Sequence, residues 1–250
     1  MTTLFTREGY KAMLRQALLS EYRFLDFHDP ERYVLPKVCL LRHDVDADLG
    51  AALEIAEIEA SLGVRSTFFL MLRSPVYNLL SRANHRLLQK IIALNHAIGL
   101  HYDAGFCAVE KQSMQSSIAL EVGLLENMFD IDIRTVSFHQ PSQDVLDGKI
   151  QIDDYINTYS HDDLRGFKYI SDSNKIWKCE TPIEIFKDSV YSHVQLLIHP
   201  MWWVASDANL STEALWNQTL LENWNRSQAQ LLETERAYGE PRLFSIKEIR

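Results

Sequence analysis

A chain of 250 residues is long enough for one large α/β domain with a substantial core, and its 46% hydrophobic and 24% charged residues exclude a disordered chain. A formal charge of −9 without any basic stripe argues against nucleic acid as a partner, because phosphate binding needs clustered Lys and Arg. No apolar run reaches the roughly 18 residues of a membrane helix.

In chain order, MTTLFTREGYKAMLRQALLSEY lacks a basic start followed by an apolar block and a small-residue cleavage site. It reads as a surface helix without an export signal, so a cytoplasmic location is expected. β-Branched and aromatic runs predict strands at 38–41, 66–70, 98–100, 135–138, 168–170 and 194–198. Apolar residues at three- and four-residue steps predict helices around Leu49–Ala60, Leu87–Ile92 and Ile118–Phe129. Residues 148–177, rich in Asp, Asn, Ser and Tyr, read as a loop-rich insertion with one short strand, forming a wall of a pocket. A last long helix starts near Ser211 or Thr212, either of which can cap it. This alternation, with no Pro-, Gly- or Ser-rich linker, predicts one domain over 1–250, with a largely parallel sheet and helices outside. Cys39, Cys107 and Cys179, odd in number and without CxxC spacing, are expected reduced and mostly buried.

Ligand-type residues recur just after the predicted strands. Arg42, His43, Asp44 and Asp46 follow the first, and His101, Tyr102 and Asp103 the third. His139 follows the fourth, Ser171 and Asp172 the fifth, and His199 the sixth, ahead of Trp202 and Trp203. In parallel α/β barrels the carboxyl ends of the strands face one cleft, so these groups converge. Asp44 and Asp46 lie on one face of an extended chain, where two carboxylates repel unless a cation or shared proton lies between them. The competing reading is that one of them caps the helix that follows. Asp46, His101 and a second histidine make a two-His, one-carboxylate set with positions open for water and substrate. His139 and His199 compete for the remaining place. His28, His85, His96, His161 and His193 read as surface or packing residues. Trp202 and Trp203 suit stacking on a sugar face, or fill the core. GxSxG, P-loop, GxGxxG and HExxH motifs are absent, which weighs against serine hydrolase, phosphoryl-transfer, dinucleotide and zincin chemistry.

From Val38 to Trp203 the chain resembles the polysaccharide deacetylases, the NodB-homology group of carbohydrate esterases. LLRHDVD, IGLHYD, VSFHQP, YISDS with Trp177, and LLIHP are similar to that family's five motifs, in order. The set RHDVD, SPVYN, GLHYD, SFHQP, YISDS and IHPMWW is similar to a subgroup associated with bacterial surface-polysaccharide biosynthesis. The resemblance implies an α/β fold, a distorted (β/α) barrel of fewer than eight repeats. It also implies a metal-dependent deacetylase acting on a sugar, with Asp44 as base, Asp46 and His101 as metal ligands and His199 as acid.

Two motifs depart from the family pattern. Gly105 stands four residues after His101, where a second histidine is usual, and His139 stands where Arg is usual. His139 is therefore expected to supply the missing ligand. Val45 separates aspartates that are usually adjacent, so the base and ligand roles of Asp44 and Asp46 are interchangeable at this stage. The expected cofactor is a divalent metal, zinc first, with Fe, Ni and Co as others. Arg42, Tyr102, Asp172 and Trp202 are expected to contact a small-molecule or oligosaccharide substrate, and the oligomeric state is open. Two rivals remain: a metal-free C–N hydrolase on a non-sugar amide, and a sugar-binding protein without catalysis.

Overall fold

Each strand run expected from the sequence forms a strand, and helices lie between most of them in the chain. The computed structural model describes residues 5–110, 113–178, 180–235 and 237–238. Cys179 and the two ends of the expected 1–250 domain lie outside the described residues. The chain begins with α1 (Arg7–Leu19), β1 (Arg23–Phe24), β2 (Val38–Val45), α2 (Leu49–Ser61), β3 (Thr67–Leu70) and α3 (Arg82–Ala93). It continues through β4 (Ala97–Asp103), α4 (Gly105–Glu110), α5 (Met114–Phe129), β5 (Thr135–His139), α6 (Gln143–Leu146) and β6 (Ile156–Asn157). β7 (Lys168–Ser171), α7 (Pro182–Asp188), β8 (His193–Ile198) and α8 (Thr212–Thr234) complete it.

Side-chain caps set the helix starts. Ser81, Ser113 and Ser211 accept from backbone N–H groups of α3, α5 and α8, and Thr181 with Glu184 forms a capping box on α7. Asp48 caps α2 by accepting from the Gly50 N–H, so neither Asp44 nor Asp46 is spent on capping. α1 corrects one expectation: Tyr10, Met13, Leu14 and Ala17 are fully buried, so the helix is half core and not a surface element. Cys39 is buried and unpaired, and Cys107 is half-buried.

The strands form one parallel sheet in the order β6-β5-β4-β3-β2-β8-β7, with β1 paired to the start of β2. β6 and β7 are sheet edges, so the sheet curls into a half-barrel that is open between them. The insertion at 148–177 holds two short strands, β6 and β7, where one was expected.

Alternation along β2 separates two cores. Cys39, Leu41 and Val45 join the large core between sheet and helices. Val38 and Leu40 face the concave side, where Phe27, Phe69 and Leu164 fill the bottom of the barrel. Gly99 on β4 is required there: a Cβ at that position would lie 2.4 Å from the Phe69 ring. Above this plug the concave face turns polar.

Candidate metal centre

The carboxyl end of β2 is held firmly before it delivers its aspartates. The Tyr77 hydroxyl donates to the Val45 carbonyl at 2.8 Å and accepts from the Met71 N–H at 3.0 Å. Ser74 donates to the Asp46 carbonyl at 3.3 Å, and Asn223 of α8 donates to the Ala47 carbonyl at 2.7 Å. The SPVYN segment thus acts as a clamp on the backbone that carries Asp46.

Asp46, His101 and His139 meet at one point. Asp46 Oδ1 lies 3.0 Å from His101 Nε2 and 3.4 Å from His139 Nδ1. One donor atom from each of the three falls within 4.8 Å of the others. His199 Nε2 approaches the other carboxylate oxygen, Oδ2, at 3.8 Å. Asp46 Oδ1 is buried, yet it has no hydrogen-bond partner among the described residues. A buried anionic oxygen beside two imidazole nitrogens, without a well-aligned hydrogen bond from either, fits a divalent cation. Two imidazoles and one carboxylate are also a donor set suited to such ions. Burial opposes the charge on Asp46, but His101, His139 and His199 outweigh it and hold its pKa well below the usual carboxylate range. His139 is shifted upward, chiefly by its contact with Asp46.

Asp44 has different partners. Its Oδ2 accepts from Arg42 Nη2 at 2.9 Å, with both side chains almost wholly buried. Arg42 also donates to the Tyr159 hydroxyl at 3.0 Å and stacks against the Tyr159 ring. The Ser137 hydroxyl lies 3.3 and 3.4 Å from the two Asp44 oxygens and 3.2 Å from His101 Nδ1. His199 is oriented from the opposite wall. Asp172 accepts from the His199 backbone N–H at 3.0 Å, lies 2.6 Å from His199 Nδ1, and accepts from Trp203 Nε1 at 2.8 Å. Burial alone would depress the His199 pKa, but Asp172, Asp46 and Asp44 push it up to about 9.

These groups open on a cleft of about 570 Å³, within the range of small-molecule sites. Asp44, Asp46, His101, His139, His199 and Trp202 line it. The insertion supplies the far wall with Tyr159, Tyr169 and Trp177.

Three expected substrate contacts are placed elsewhere. Tyr102 follows His101 on β4, so it points to the opposite face, is fully buried, and meets Cys107 at 3.0 Å. Arg42 and Asp172 are also fully buried, each holding a residue that does line the cleft. Sequence reasoning missed Ser137, although it lies two residues before His139 on one strand and pairs in register with His101. That spacing was the signal for it. Tyr159 and Tyr169 lie in an irregular segment whose course no periodicity reveals.

No family model matches the chain, and no curated protein matches it. Among solved structures, peptidoglycan deacetylase PdaC from Bacillus subtilis is similar at 14% identity, over 84% of this chain and 98% of that one, with a TM-score of 0.44. A family 4 carbohydrate esterase from Bacillus anthracis is similar at 14% identity, over 86% of each chain, with a TM-score of 0.44. A mutant CE4 family pseudoenzyme with restored enzymatic activity matches at 16% identity over 77% of this chain, with a TM-score of 0.41. This chain covers 65% of that mutant's length, just under two thirds. With TM-scores below 0.5, these likenesses lend no weight to any role in the site, which rests on its own side chains.

Proposed function

We propose that this chain is a metal-dependent hydrolase that removes an N-acyl group, acetyl first among them, from a sugar. A nucleotide- or lipid-linked precursor of bacterial surface polysaccharide is the substrate class, and the cytoplasm the place of action. The single observation carrying the reading is the meeting of Asp46, His101 and His139 around an orphaned buried carboxylate oxygen, with Asp44 and His199 on either side. Zinc is the cation favoured, with Fe²⁺, Ni²⁺ and Co²⁺ compatible with the same donors.

Asp46, His101 and His139 would hold a divalent cation, which when bound would lower the pKa of water and polarise an acyl carbonyl. Asp44, ion-paired to Arg42 and engaged by Ser137, keeps lone pairs free to take the proton of the attacking water. His199, kept protonated by Asp172, gives its proton to the departing amine nitrogen. Asp46 belongs with the ligands and Asp44 with the base, because Asp44 is already engaged by Arg42 and Ser137 while Asp46 faces both histidines. Trp202, 4% exposed, would meet the sugar only with the edge that lines the cleft.

Acetate release from a panel of N-acetylated nucleotide sugars, by zinc-loaded protein, tests the reading. Asp44→Asn and His199→Ala are each expected to lower kcat by roughly 10²–10⁴-fold. Full activity in both variants would end the assignment. Activity surviving complete chelation points to the metal-free hydrolase. Sugar binding without any release points to the binding protein.

A further inference from the structure

Ser137 stands where two parts of the site touch. It is fully buried on β5, in register with His101 on β4, and its hydroxyl lies between His101 Nδ1 and Asp44. A hydroxyl carries one proton, so the direction of both contacts follows from proton counting. Asp44 is paired with a guanidinium, which stays charged, and an ionised carboxylate only accepts. The single Ser137 proton therefore goes to Asp44, and the Ser137 oxygen turns a lone pair toward His101. His101 must then carry its proton on Nδ1. In a neutral imidazole that leaves Nε2 as a bare lone pair, 3.0 Å from the orphaned Asp46 Oδ1. Two lone pairs at that separation repel unless a cation lies between them. The opposite arrangement, with Ser137 donating to Nδ1, would set the hydroxyl oxygen against a carboxylate and put a proton on Nε2 where a ligand lone pair is needed.

We propose that Ser137 is a positioning residue that fixes the His101 tautomer, holding the proton on Nδ1 so that Nε2 is presented to the cation, and that it joins the base Asp44 to the ligand His101. The proposal rests on the reading of Asp46, His101 and His139 as a metal centre. Partners that orient a ligating histidine raise metal affinity roughly 10- to 100-fold.

Co²⁺ titrations of metal-free protein, followed by the visible absorption of the bound ion, provide one measurement. The imidazole ¹⁵N spectrum of the zinc-loaded protein provides the other. Ser137→Ala is expected to bind Co²⁺ roughly 10- to 100-fold more weakly than the parent. The parent should show a slowly exchanging Nδ1–H resonance for His101, which Ser137→Ala loses to solvent exchange. A role in packing alone would move neither readout. Parental Co²⁺ affinity in Ser137→Ala overturns the proposal while leaving the metal centre standing, whereas a His101 proton on Nε2 in the zinc-loaded protein overturns both, because that nitrogen then has no lone pair for the ion. If Co²⁺ binds the parent and His101→Ala equally, the metal centre itself fails, and this proposal with it.

Discussion

His199 has acidic groups on two sides, with Asp172 at 2.6 Å from Nδ1 and Asp46 at 3.8 Å from Nε2, and its pKa rises to about 9 against the cost of burial. In the proposed role of proton donor it would work only while protonated. The donor form therefore persists through neutral pH and is lost as pH rises past about 9. Asp172→Asn removes the largest opposing charge and should move the alkaline limb of kcat to lower pH, by roughly one to three units. A pH–rate profile of the two proteins decides it, and an unmoved limb would show that Asp172 does not set the proton affinity of His199. At this scale the sequence was legible where side-chain alternation could be followed. Arg42, Asp44 and Asp46 share one face, and so do Ser137 and His139. Tyr102 was misplaced because its nearness to His101 in the chain outweighed the alternation that sends it to the other face. Arg42 and Asp172 were misplaced because sequence marks a residue as polar but not whether its partner is substrate or another side chain.

Between elements, the most concentrated polar contact outside the cleft ties α1 and α2 to β2. Glu59 of α2 is fully buried and lies 2.7 Å from His43 Nε2, and it accepts from the Tyr10 hydroxyl and from Ser66 at 2.5 Å. His96 adds a contact at 3.5 Å. Burial works against the charged form, but His43 and its other partners lower the Glu59 pKa. A lowered folded pKa means that the stabilisation is present above the unfolded carboxylate value and is lost as pH falls through the folded one. Glu59→Ala leaves His43, His96 and Tyr10 without their common partner. It should cost about 3–5 kcal/mol in urea unfolding at pH 7, the range for breaking a buried pair. A loss below about 1 kcal/mol would mean that water or neighbouring groups replace the carboxylate. The helices and long strands were readable because apolar spacing extends over several turns or alternations. β1 and β6, two residues each, are too short to carry a period and exist only through pairing with their neighbours. α1 carries Tyr10, Met13, Leu14 and Ala17 at helical spacing, yet the segment reads as a surface helix from sequence, because spacing alone does not show that other elements cover that face.

Across the whole molecule, chain order does not reveal that β2 sits between β3 and β8, which joins the first half of the sequence to its end. That adjacency brings His199 to the same cleft as Asp46, and it depends on the curl of the sheet, which no local pattern encodes. Alternation of strands and helices was enough to expect convergence at the carboxyl ends, but not which pairs of ends would touch. The proposed centre would draw its three ligands from the ends of β2, β4 and β5, so a cation bound there would link segments from residue 46 to residue 139. Binding energy of that kind is folding energy, since the unfolded chain does not hold the three groups together. Zinc at about 100 times its dissociation constant should add about 2.7 kcal/mol. For a domain of this size that is a rise in Tm of roughly 5–10 °C. A chelator should reverse the rise, and His139→Ala should abolish most of it while keeping the fold, because the ring is at the cleft and not in the core. Thermal unfolding of the parent and His139→Ala, each with zinc and with chelator, makes the comparison. An equal rise in both proteins would place the cation elsewhere, and no rise in either would leave Asp46 Oδ1 to be balanced by a proton shared with the imidazoles.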